Sequence, residues 1–134
     1  MKKGARKQVD RARTNNYKAV AEKFYNGANV AGEYEYWNAA GVLIVRSAIA
    51  YADAVCIRMG GVKSQGDDHA HSIVLLKELV TDTSESRKSF LQLEKIISHK
   101  NIVSYSGEMY GRKDIDQMWK QLERFRLWAE KLLN

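Results

Sequence analysis

The 134-residue sequence contains no proline, although average usage of about 5% would place roughly six or seven in a chain of this length. No proline therefore breaks a backbone hydrogen-bond ladder, and long uninterrupted helices are expected. A single cysteine, Cys56, rules out an intrachain disulfide framework and suits a reducing compartment. No N-terminal stretch joins a basic start to an apolar run and a small-residue cleavage site, so a cytoplasmic protein is expected. Internal repeats and low-complexity tracts are also missing. With 45% apolar and 28% charged residues, the composition excludes a wholly disordered chain. It predicts one domain over residues 1–134 with its own hydrophobic core.

The net charge of +6 is unevenly placed. Lys2, Lys3, Arg6, Lys7, Arg11 and Arg13 stand against Asp10 alone, so +5 of it falls in a basic N-terminal arm of about residues 1–13. Such an arm can dock phosphates by releasing counterions, but charge runs are usually solvated, and a solvated helix start or tail is the expectation here. The rest of the chain is close to neutral, so net charge alone does not define a nucleic-acid protein.

Apolar periodicity divides the chain into helical blocks. The first runs from about Lys7 to Tyr25, stopped at Gly27 and the Ala-Asn-Val-Ala-Gly stretch after it. The second, about Glu33 to Met59, is nearly all apolar from Ala39 to Ile57 except for Arg46, Ser47 and Asp53. Two charges at about 2.5–3.5 kcal/mol each argue against a membrane span and for a helix packed on all sides. Arg46 and Asp53 are seven apart, hence two turns along one face, which either pairs with something buried or opens onto a site. Gly60-Gly61 ends this helix. Asp67 and Asp68 are N-cap candidates for a third helix, about His69 to Val80, and Asp82 with Glu85 resembles a capping box for a fourth reaching about Val103. Ile115, Met118, Trp119, Leu122, Phe125, Trp128, Ala129 and Leu132 mark an amphipathic helix from about Asp114 to Leu133, with both tryptophans in the core. No alternating strand is evident. The pattern predicts an all-α fold, an antiparallel bundle of four or five helices.

Several chemistries can be set aside. Gly61-Val62-Lys63-Ser64 lacks the phosphate-loop spacing and follows a helix instead of a strand. Cys56 lies in the apolar helix as a small core residue. His69 and His71 beside Asp67 and Asp68 match no established zinc spacing, so neither metal nor cofactor is expected. The sharper group is Lys100-Asn101-Ile102-Val103-Ser104-Tyr105. On a wheel continued from Leu93, Lys100 falls near the apolar face, where an unpaired ammonium is costly. A buried acid such as Asp53, or a bound phosphate, would compensate it.

Three features together resemble the HEPN family, small helical bundles named for higher-eukaryotic and prokaryotic nucleotide binding. They are the apolar helix Ser47–Cys56 with its Gly61-Val-Lys-Ser-Gln-Gly-Asp-Asp-His69 turn, the polar stretch Lys100–Tyr105, and the closing helix Leu122–Trp128. The resemblance spans roughly residues 40 to 133. Many HEPN proteins are metal-independent ribonucleases that use an arginine, a following polar residue and a histidine after four to six intervening residues, with two protomers meeting at the site. By position Lys100 matches the arginine, Asn101 the polar residue and Tyr105 the histidine. Lysine lacks the planar fork that grips phosphate, and a phenol of reference pKa near 10 is a poor base at neutral pH. The resemblance therefore implies a nucleotide- or RNA-binding site with Arg46, Asp53, Lys63, Ser64, Asp68 and Asn101 around it, and no strong catalysis. A divergent ribonuclease, the toxin or defence component of an operon, is the alternative: His69 would serve as base, with Lys100 stabilising charge and Tyr105 beside them. A helical protein-interaction module is the third reading. The family also implies a homodimer, for which Trp37, Tyr34 and Tyr36 offer interface aromatics, and in some operons a nucleotidyltransferase partner.

Overall fold

A computed structural model describes residues 6–66 and 69–134. In chain order these form β1 (Arg6–Gln8), a 3-10 turn at Arg11–Arg13, α1 (Thr14–Glu33), α2 (Trp37–Gly60), β2 (Val62–Ser64), α3 (Ala70–Leu79), α4 (Ser84–Ile97), α5 (Lys100–Tyr105) and α6 (Arg112–Leu133). The chain is mostly helical, as the absence of proline and the helical periodicities predict.

α2 is the axis of the structure. Ala40, Ile44, Ala48, Tyr51, Ala52, Ala54, Val55 and Ile57 point in every direction around it and all are fully buried. Its alanines let neighbours approach closely. α1 lies along one side, where the Ser47 hydroxyl donates to the Ala21 carbonyl at 2.9 Å. α6 covers a second side with Ile115, Met118, Leu122, Phe125, Trp128 and Ala129, the stripe expected from its periodicity. α3 closes a third with Leu75 and Leu76. Trp37–Gly60 has the length and hydropathy of a membrane span (1.7 over its most apolar window), yet 78% of that window is buried within the protein. Gly61, at φ 64°, ends the helix in the left-handed region and donates its N–H to the Ile57 carbonyl at 2.8 Å.

At Tyr51, polar side chains from α6 meet α2. The Tyr51 hydroxyl accepts from Arg126 Nε at 3.1 Å and donates to Glu130 at 3.2 Å. The Arg126 guanidinium also lies 4.1 Å above the Tyr25 ring, which stacks on Trp119. Trp128 is buried as expected, while Trp119 is only half-buried against that stack. Tyr34 and Tyr36 are exposed and stacked on each other.

Several expectations are corrected. A strand pair does exist: β1 runs antiparallel to β2, with Lys7 opposite Lys63. Three-residue strands are too short to show alternation in sequence, which is why they escaped. From Arg6 onward the basic arm is solvent-exposed, as expected of a charge run, but it is tied to the fold and leads into α1. Arg6 makes two hydrogen bonds to Glu78 (3.0 and 3.1 Å), and Arg11 donates to the Met59 carbonyl. α1 begins at Thr14, after the Asp10-capped turn, and passes through Gly27 to Glu33. The fourth helix is capped one residue later than expected, by a reciprocal Thr83–Ser86 box. It ends at Ile97, and the break at Ser98–His99 restarts the chain as α5, so the helical wheel does not carry through to Lys100. The proposed caps Asp67 and Asp68 lie outside the described residues.

α5 is held against the start of α2. Asn38 donates to the Val103 and Glu108 carbonyls (3.1 and 2.9 Å) and accepts from the Tyr110 N–H at 2.9 Å. His99 Nδ1 and the Tyr110 hydroxyl are 2.7 Å apart. Gly41 permits the approach, since a Cβ there would stand 2.6 Å from Val103 Cγ2. A Gly41→Val substitution should therefore cost about 1–3 kcal/mol through overpacking, more than the helix propensity it gains. Thermal unfolding checks this, and an unchanged or raised Tm would contradict the packing described.

Candidate functional site

One face of α2, carrying Val42, Val45, Arg46, Ile49, Ala50 and Asp53, borders a cavity. It forms the base of a cleft of about 410 Å³. Tyr17, Val20 and Phe24 of α1 make one wall; Lys100, Asn101, Val103, Ser104 and Tyr105 of α5 make the other; Lys63 of β2 and His69 close an end. Arg46 and Asp53, seven apart, both line this cleft, and Asp53 is also ion-paired with Lys63.

Of the residues singled out by sequence, Arg46, Asp53, Lys63, His69, Lys100, Asn101 and Tyr105 all line this cleft. Ser64 does not; it is buried at 3% exposure, and its carbonyl accepts from Lys63 Nζ at 2.7 Å. Asp68 lies outside the described residues. Asp53 is not the partner of Lys100. Its Oδ2 stands 3.8 Å from Lys63 Nζ, because β2 turns back along the end of α2 and brings that lysine over the carboxylate. Tyr105 sits at the rim, 81% exposed.

Arg46 and Asp53 stand about two turns apart on α2, and Lys63 lies over the Asp53 carboxylate. Val20, Phe24, Val45, Ile49 and Ala50 add apolar lining to the cleft.

Asp53 is the unusual group. It is only 7% exposed, its Oδ1 is sealed from solvent with no hydrogen-bond partner, and Lys63 Nζ, at 3.8 Å from Oδ2, is beyond hydrogen-bond distance. Burial pushes its pKa up to about 7, with the nearby Lys63 pulling in the opposite direction. Cys56, one turn on, is raised to about 12 by burial and by Asp53, so it stays a protonated core thiol and not a nucleophile. Among the described residues no group of three or more His, Cys, Asp or Glu side chains could hold a metal ion.

Sequence reasoning missed two parts of the site. Tyr17 and Val20 are cleft-wall residues whose helical spacing with Phe24 could have placed them on one face. Asn38, His99 and Tyr110, which fix the α5 segment, carry no local signal, since Asn38 is 65 residues from Val103. The chain matches no family model, and no curated protein or solved structure is significantly similar to it.

Asp53 also sets a pH dependence. Its folded pKa of about 7 lies above the ordinary value near 3.9, so the stability linked to its neutral form is complete below about pH 4 and lost as pH rises through 7. The full difference is of the order of 4 kcal/mol. Asp53→Asn, which keeps the shape without the charge, should stabilise the protein little at pH 5 and clearly more at pH 8. A Tm difference between variant and parent that is constant from pH 5 to 8 would refute this.

Proposed function

We propose that this protein is a HEPN-like helical bundle whose cleft binds a nucleotide or single-stranded RNA without strong catalysis. The observation that carries the reading is that three cations from three elements, Arg46, Lys63 and Lys100, and the Tyr17, Phe24 and Tyr105 rings line one cleft. Cations at a cleft wall bind phosphate, and aromatic faces accept a base or sugar. A volume of about 410 Å³ is in the range of small-ligand sites. The reading also keeps the homodimer that the family resemblance implies.

The chemistry favours binding over cleavage. Lys100 supplies charge as a single point instead of a bidentate fork, and Tyr105 at the rim is not held by any hydrogen bond among the described residues. One feature supports the alternative of a divergent ribonuclease: His69 lines the same cleft as Lys100 and offers an imidazole as base.

Titration calorimetry with adenosine 5′-monophosphate and with a short single-stranded RNA tests both readings. Binding should weaken with added salt, and Lys100→Ala or Arg46→Ala should each reduce affinity by about tenfold or more, the scale of one charge-assisted contact. The RNA should remain intact without metal. Cleavage abolished by His69→Ala would establish the ribonuclease alternative instead, and failure of both ligands to bind would overturn the proposal.

A further inference from the structure

We propose that the furrow between α4 and α6 is a docking groove for an acidic amphipathic helix of another protein, a site separate from the cleft along α2 and independent of what that cleft binds. The surface carries one spacing twice. On α4, Lys88, Leu91, Gln92 and Lys95 stand at i, i+3, i+4 and i+7. On α6, Arg124, Leu127, Trp128 and Lys131 do the same. Residues so spaced share one helix face, and these two faces lie side by side. Lys131 Nζ is 2.7 Å from Glu85 Oε2, and the Trp128 ring meets Phe90 edge-on with centroids 5.7 Å apart. Both contacts join the end of α6 to the first half of α4, so the helices run antiparallel. The groove between them has a volume of about 530 Å³.

Its apolar part is unlike the rest of these helices. Phe90, Leu93, Leu122 and Phe125 are buried, whereas Leu91 and Leu127 are 55% and 60% exposed. One exposed leucine needs no explanation, but two that line one groove with the Trp128 indole form an apolar strip. The strip is framed by charge of one sign. Lys88, Lys95, Arg124 and Lys131 line the groove against Glu85 alone, and Glu85 is taken up by Lys131. Lys88, Lys95 and Arg124 have no acidic partner among the described residues.

That framing selects the occupant. Whatever covers the leucines also draws four cations out of water, which is costly unless carboxylates meet them. A second copy using the same face would set like charge on like charge, so self-association there is disfavoured. A phosphate backbone would satisfy the cations and leave the leucines without a partner, and a flat bilayer surface fits a ridge better than a furrow. A helix fits all three features. Its ridge seats between two neighbouring helices, apolar anchors at i, i+3, i+4 and i+7 cover the strip, and flanking acids reach the lysines and the arginine. Lys88 to Lys95 spans about 10 Å, the length of two turns of such a helix.

The test uses three synthetic 20-residue peptides followed by fluorescence anisotropy against the full chain. One has leucines at i, i+3, i+4 and i+7 flanked by glutamates, one replaces those glutamates with lysines, and one scrambles the acidic sequence. The acidic amphipathic peptide should bind about tenfold or more tighter than either of the others, and added salt should weaken it. In the isotope-labelled protein it should shift the Leu91 and Leu127 methyl resonances while leaving Val20 and Ile49 unmoved. Lys88→Glu with Lys95→Glu, both at exposed positions, should lose that preference while a thermal melt shows the variant folded. The peptide comparison in the unmodified protein stands by itself if the variant does not fold. Equal binding of the three peptides, no binding, or shifts away from Leu91 and Leu127 would overturn the proposal. It would equally be overturned if single-stranded RNA or phosphatidylserine vesicles, and not the peptide, moved those leucines, or if a dimer in sedimentation were dissolved by Leu127→Ser.

Discussion

Everything in this structure depends on covering α2. A 24-residue helix with alanine, isoleucine and valine on all faces must be enclosed, and α1, α3 and α6 enclose it from different sides. Each covering helix contributes the complementary stripe, and the hydroxyls of Ser47 and Tyr51 on α2 are paired across these contacts. The face between Val42 and Asp53 is different. It is covered only partly, by a short helix held through Asn38 and Gly41, and that incomplete cover is the cleft.

The same constraint explains the electrostatics. Placing Asp53 in the wall of the central helix removes it from water and leaves its Oδ1 without a hydrogen bond, so its ionised form is disfavoured. The β1–β2 pair then matters beyond its size. It pins the chain after Gly61 so that Lys63 stands over the carboxylate, and it is itself tied down by Arg6 on Glu78 and Arg11 on the end of α2. The arm from Arg6 onward thus has an observed structural task, quite apart from any affinity for phosphate.

The parts legible in the sequence are those set by local geometry. Helical periodicity located α6 and its buried face, the glycine pair located the end of α2, and a seven-residue spacing put Arg46 and Asp53 on one open face. Those features need only the pitch of a helix. The parts that were not legible depend on contacts between distant segments. β1 and β2 are too short to alternate, the break at Ser98–His99 has no proline or glycine to mark it, and Asn38 acts on backbone 65 residues away. Lys63, not Lys100, faces Asp53 for the same reason: the pairing follows from a strand that local patterning does not reveal.

The central claim is that the incompletely covered face of α2 is a ligand site for a phosphate-bearing nucleotide. Titrating the isotope-labelled protein with adenosine 5′-monophosphate and following methyl and amide resonances tests it most directly. The account predicts saturable shifts at Val20, Val45, Ile49 and Val103 and around Lys63 and Lys100, with Leu91 and Leu127 on the α4 and α6 surface unmoved. Shifts confined to that other surface, or none at saturating nucleotide, would contradict it.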